Sequence, residues 1–151
     1  MKRFAVAVVF VVLLAMAASG AVQDFGEFTL DIPKGWTVKE NKTAEESIVM
    51  DIIKNDKSSS MSVTYEINED YPVEDLIQDW ANMEQTATEP ERTRDGFYTF
   101  TFKNNKGKKV TACGRQITRT DGERGGAYLY VEMTGKDIKT MTAIRDSFAL
   151  K

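Results

Sequence analysis

Histidine does not occur anywhere in this 151-residue chain. Its absence removes the commonest general base, the serine–histidine nucleophile pair, and most zinc and copper sites. Cys113 is the single cysteine, so no intramolecular disulfide can brace the fold, which must be held by its core. A small buried residue in a strand, a free thiol and an intermolecular link are the roles open to it. No G-x-G-x-x-G or Walker phosphate loop is present, and Gly125-Gly126 falls between two strand patterns, the wrong context for either. There is no internal repeat, coiled-coil heptad or low-complexity tract. The net charge of −3 argues against a general nucleic-acid binder.

The first residues read as an address. Lys2 and Arg3 precede an uninterrupted apolar run from Phe4 to Ala18, and small-x-small triplets stand at its end, Ala15-Met16-Ala17, and just after it, Ser19-Gly20-Ala21. That is the pattern of a secretory signal peptide, with cleavage expected after Ala21. The run is shorter than the ~20 apolar residues of a spanning helix, which weighs against its retention as a membrane anchor. Removing residues 1–21 leaves 22–151, a length suited to one domain, and moves the net charge from −3 to −5. The expected location is periplasmic or extracellular, in a bacterium.

The exported part alternates in the manner of strands. In Phe25–Trp36 (FGEFTLDIPKGW), Phe28, Leu30 and Ile32 oppose Thr29 and Asp31. Pro33-Lys34-Gly35 is turn chemistry, so Trp36 and Val38 are expected to return as the second arm of a hairpin in a single sheet. Lys39–Glu46 reads as the end of that strand and a loop. Ile48–Ile53 is apolar on both faces and predicts a central strand. Met61, Val63, Tyr65 and Ile67 form the clearest alternation in the chain. The period then changes: Pro72, Glu74 and Asp75 open a helix whose stripe is Val73, Leu76, Ile77, Trp80 and Met83. Thr86–Asp95 is a charged connection. Strands are predicted at Phe97–Lys103, Lys108–Arg119 and Ala127–Met133, with a turn at Asn104–Gly107 and a β-bulge at Gly114. A last helix, with a capping box at Thr134 and Asp137, places Ile138, Met141, Ile144 and Phe148 inward.

The expected class is α+β: a mostly antiparallel seven-stranded sheet with two helices, in the order ββββ-α-βββ-α. This order, opening on FTLDIPKGWTV and closing on an amphipathic helix that ends in Ser147-Phe148, resembles the PsbP-like superfamily. The resemblance implies an α/β/α sandwich. It also implies a binding or accessory role, since the superfamily includes the oxygen-evolving-complex protein PsbP, a nuclear-import factor that binds Ran, and many exported bacterial proteins. It implies no catalytic residue, cofactor or metal site.

Two polar features remain. Glu66, Glu69, Asp70, Glu74 and Asp75 cluster where a strand enters the first helix. They suit either a solvated helix start or a carboxylate site for acid–base work or calcium. Between residues 103 and 119 lie Lys103, Lys106, Lys108, Lys109, Arg115 and Arg119 and no acidic residue. This basic hairpin is the expected surface for an anionic partner, an envelope component or an acidic protein. Lysines also shield exposed sheet edges, which is the plainer reading. The expected function is therefore an exported, non-enzymatic binding or accessory domain that needs no cofactor and has no transmembrane helix once processed. A carboxylate-dependent enzyme or a structural envelope component is the alternative.

Overall fold

The computed structural model describes residues 20–44, 46–67, 71–118 and 126–151. Apart from Gly20 and Ala21, the leader lies outside these residues. The described elements run β1 (Ala21–Asp24), β2 (Phe28–Ile32), β3 (Trp36–Ala44), β4 (Ser47–Lys54), β5 (Ser59–Ile67), α1 (Val73–Met83), β6 (Glu91–Arg92), β7 (Tyr98–Lys103), β8 (Lys109–Ile117), β9 (Ala127–Gly135), α2 (Ile138–Asp146) and β10 (Ala149–Leu150). They form a seven-stranded sheet in the order β3-β4-β5-β9-β8-β7-β6 and a three-stranded sheet in the order β1-β2-β10. All pairings are antiparallel. The α+β class, the two helices and the mostly antiparallel sheet are as the sequence predicts.

The layers follow from the alternation. On one face of the large sheet, Phe100, Phe102, Val110, Ala112 and Tyr128 pack against Val73, Ile77 and Ala81 of α1. On the other, Met50, Ile52, Met61, Val63, Leu129 and Val131 pack against Met141 and Ile144 of α2 and against Phe28, Leu30 and Ile32 of the small sheet. Strand β9 contributes to both clusters, which is why it is apolar in both phases. β4, expected to be central, lies next to the edge. Its Ile48, Met50 and Ile52 are buried, whereas Val49, Asp51 and Ile53 are only half-buried.

Four expectations are corrected. Phe28–Ile32 and Trp36 do not share a sheet: the Pro33–Trp36 turn, closed by Trp36 N–H donating to the Pro33 carbonyl at 3.3 Å, carries the chain from the small sheet to the large one. Period-2 alternation fixes the face a side chain takes but not the strand it pairs with. Trp36 is nonetheless buried, in the core shared by the two sheets. The second correction concerns Lys39–Glu46, most of which is strand; β3 runs to Ala44 with a register shift between Glu40 and Lys42. An edge strand needs only backbone partners on one side, so it tolerates a polar sequence. Third, Gly114 makes no bulge, because its register with β7 and β9 is continuous. A Cβ there would lie 2.5 Å from Ile77 Cδ1. The glycine is the seat on which α1 rests. Fourth, there is no capping box, because Thr134 lies within β9 and the N-cap of α2 is Asp137, which makes no side-chain capping bond. Its carboxylate instead takes the Lys54 ammonium at 2.5 Å.

The helical stripes are shorter than predicted. Met83 at the end of α1 is 71% exposed, and Ile138 at the start of α2 is also exposed. Phe148 lies past the end of α2 and packs its ring against that of Phe28, centroids 4.9 Å apart and tilted by 33°.

Candidate anion-binding surface

The β7–β8 hairpin is built by its turn. Gly107 takes φ +69° and its N–H donates to the Asn104 carbonyl at 2.8 Å, while Asn104 Oδ1 accepts from the Lys106 and Lys108 amides, each at 3.0 Å. An asparagine side chain that substitutes for a backbone acceptor, followed by a glycine in the left-handed region, fixes a tight loop. That loop sets the register in which Lys103 stands directly opposite Lys109. Lys103, Lys106, Lys108 and Lys109 are all exposed, and among the described residues none makes an ion pair.

Like charges directly opposite each other on a ladder are destabilising. The plainer role, shielding an open edge, falls elsewhere. The outer side of β7 is lined by Glu91-Arg92 and by Thr86 and Thr88. The two threonine hydroxyls accept from the amides of Lys103 at 2.7 Å and Thr101 at 3.0 Å, and the Thr88 amide donates to the Thr101 carbonyl at 2.9 Å. Those contacts already satisfy the backbone groups that lysines would otherwise have to guard.

The predicted run of six cations is not one patch. At about 3.3 Å per residue, Arg115 lies roughly 20 Å along β8 from Lys109, well beyond the ~8 Å screening length at physiological salt. Arg119 lies outside the described residues. The Arg115 guanidinium sits 4.8 Å from the centroid of the Phe97 ring, which also carries the Arg145 guanidinium at 4.0 Å.

Arg145 is a residue that the sequence reading passed over. Only 8% exposed, it donates to Cys113 Sγ at 3.5 Å and Asp95 Oδ2 at 3.0 Å, and it pairs with Asp146 at 2.7 Å. A buried guanidinium is tolerable only with such partners. The signal was available: Arg145 lies four residues after Met141 in α2, on the inward stripe. Thr93 donates to the same Asp95 carboxylate. The Thr93 hydroxyl and the Arg145 charge hold Asp95 below the usual carboxylate range. Burial pushes the Cys113 thiol up, with Arg145 opposing. Cys113 is thus a packed thiol rather than an activated one.

Among the described residues, Glu66, Glu74 and Asp75 form no shared carboxylate site. Glu69 and Asp70 lie outside the described residues. Glu66 faces Tyr128 across β5 and β9, and burial together with Glu66 raises the Tyr128 pKa. Glu74 accepts from the Tyr98 hydroxyl at 3.0 Å. Asp75 is exposed. Among the described residues there is no group of three or more acidic or cysteine side chains able to hold a metal ion, and no helix long and apolar enough to cross a membrane. No protein-family model matches the chain, and no curated protein matches it significantly.

Proposed function

We propose that this protein is an exported, non-enzymatic binding or accessory domain of the PsbP-like kind, which docks on an anionic partner through the end of the β7–β8 hairpin. One observation carries the reading: four exposed lysines gathered at a tightly specified turn, two of them directly opposite, with no carboxylate partner among the described residues. Cross-strand repulsion costs stability, and an anionic partner would relieve it. The alternative of a carboxylate-dependent enzyme loses support because Glu66 and Glu74 are each engaged with a different tyrosine.

The test is co-sedimentation with anionic and with neutral vesicles, at low and at high salt. Each lysine at an anionic surface contributes roughly 1 kcal/mol, so Lys106, Lys108, Lys109→Glu should weaken binding about a hundredfold or more. Binding by the unaltered protein should also fade as the screening length falls to about 3 Å near 1 M salt. Equal binding by both proteins, or binding indifferent to salt, would sink the proposal. Capture of acidic proteins, but not vesicles, by the same lysines would identify the partner as protein.

A further inference from the structure

On the α1 face of the large sheet, beside the C-terminal end of the helix, lies a cavity of about 140 Å³. It follows from the strand register. Phe100, Ala112 and Glu132 stand in one row across β7, β8 and β9, and the lone methyl of Ala112 leaves a hollow between two long neighbours. Phe100 and Ala112 turn toward α1, and so does Glu132, because Val131 and Met133 on either side of it pack in the opposite core. Trp80 of α1 overhangs the hollow, its ring centroid 4.1 Å from that of Tyr130. Phe102 extends the floor, stacked on Phe100 with centroids 5.9 Å apart. Glu84 and Met83, the exposed methionine at the end of α1, form the rim.

We infer that this cavity binds an organic ammonium ion, with Glu84 and Glu132 supplying the counter-charge and Trp80, Phe100 and Phe102 the aromatic wall. Among the described residues neither carboxylate makes an ion pair. The Tyr130 hydroxyl donates to Glu132 Oε1 at 2.8 Å, which orients that carboxylate and leaves Oε2 to accept from a ligand. Burial pushes the Tyr130 phenol up, and Glu132 and then Glu84 add to the shift, so both charges bear on the same place. The last turn of α1, Trp80-Ala81-Asn82-Met83, has no basic residue, and the negative end of the helix adds to the attraction for a cation. Lys103 and Lys109 alternate with Phe102 and Val110 and therefore point to the other face of the sheet.

The lining selects the kind of cation. A hard metal ion needs six or more oxygen ligands, which two carboxylates among aromatic rings do not provide. An ammonium group on a carbon chain suits both walls, its charge facing the carboxylates and its polarised C–H or N–H groups the π-faces. The volume is below that of drug-sized sites and matches a single headgroup. Such a group could belong to a free amine or to a lysine side chain of another protein.

The test is titration of the purified protein with choline, with butylammonium and with lysine capped at its α-amino and carboxyl groups, against neohexyl alcohol as the uncharged isostere of choline. Calorimetry and the indole N–H resonances of the two tryptophans report binding. At least one cation should bind saturably with Kd near or below about 1 mM. It should shift the Trp80 resonance and leave that of Trp36, which lies in the opposite core. Preference for choline assigns a quaternary headgroup, preference for capped lysine over butylammonium a protein side chain, and the reverse a free primary amine. Glu84→Gln and Glu132→Gln should each weaken binding about tenfold, the loss of one charge-assisted contact, and Trp80→Leu about fivefold. Glu84 is exposed at the helix end, so its substitution leaves the fold intact even if that of Trp80 does not. The inference is overturned if no cation binds, if the alcohol binds equally, if the Trp80 resonance stays still, or if Glu84→Gln keeps full affinity.

Discussion

Replacing Gly114 by alanine isolates the contact that seats α1 on the sheet. Gly114 has no unusual φ, and at such positions Gly→Ala stabilises a protein by about 0.4–1 kcal/mol through the unfolded chain. The structure predicts the opposite sign. The new Cβ would stand 2.5 Å from Ile77 Cδ1, 3.1 Å from Ile77 Cγ1 and 3.5 Å from Val73 Cγ2, where carbon atoms in contact prefer about 3.5–4.0 Å. Ile77 is fully buried between helix and sheet, so its end cannot swing into solvent. Overpacking of this kind costs about 1–3 kcal/mol, which outweighs the entropic gain and leaves Gly114→Ala destabilised by about 1–2 kcal/mol. Ile77→Val removes Cδ1, the worse of the two clashes, at a cost of about 0.5–1.5 kcal/mol. In that background Gly114→Ala should cost little or nothing, giving a coupling of about 1 kcal/mol in a double-mutant cycle measured by urea unfolding. A neutral or stabilising Gly114→Ala in the parent, or strict additivity with Ile77→Val, would refute the reasoning.

Trp36→Ala should cost about 3–5 kcal/mol in the same assay, because the indole is buried where the two sheets meet; a loss under about 1 kcal/mol would contradict that burial. Stability should be nearly flat between about pH 5 and 8, as the chain has no histidine to titrate there. Asp24, Asp56 and Asp95 have carboxyls held low, chiefly by Lys151, Ser58 and Thr93 respectively. Their contribution is present above the ordinary carboxylate range and lost as the pH falls below about 4. Burial raises Cys113, Tyr128 and Tyr130. Their contribution is present at neutral pH and is lost as the pH climbs past about 8.5 and then 10, where the unfolded side chains ionise. Urea midpoints across this range test the shape, and a slope between pH 5 and 8 would be the contrary result.

What the sequence discloses depends on how local each signal is. The strand at β5 and the start of α1 are legible because alternation and helical spacing are properties of neighbouring residues. The sheet to which β2 belongs is not, because its partners β1 and β10 come from the two ends of the described chain and the β10 pairing involves only two residues. Gly114 looks like a break in a strand until α1 is placed over it. Among the candidate cations, Lys103, Lys106, Lys108 and Lys109 stay together because one turn holds them. Arg115 leaves them because a strand is straight.

The small sheet has a consequence for the order of assembly. β2 is bracketed by β1 on one side and by β10, residues 149–150, on the other, and Lys151 bonds to Asp24 at 2.7 Å. A chain emerging from its N-terminus can form the β3–β5 meander early, since those contacts are local. The layer that roofs the Phe28, Leu30 and Ile32 side of the core is complete only once residues 149–151 are in place. Contacts of such long sequence separation are formed late and slowly. That face of the core therefore stays open until residues 149–151 pair, and removing them strikes the closing step of folding.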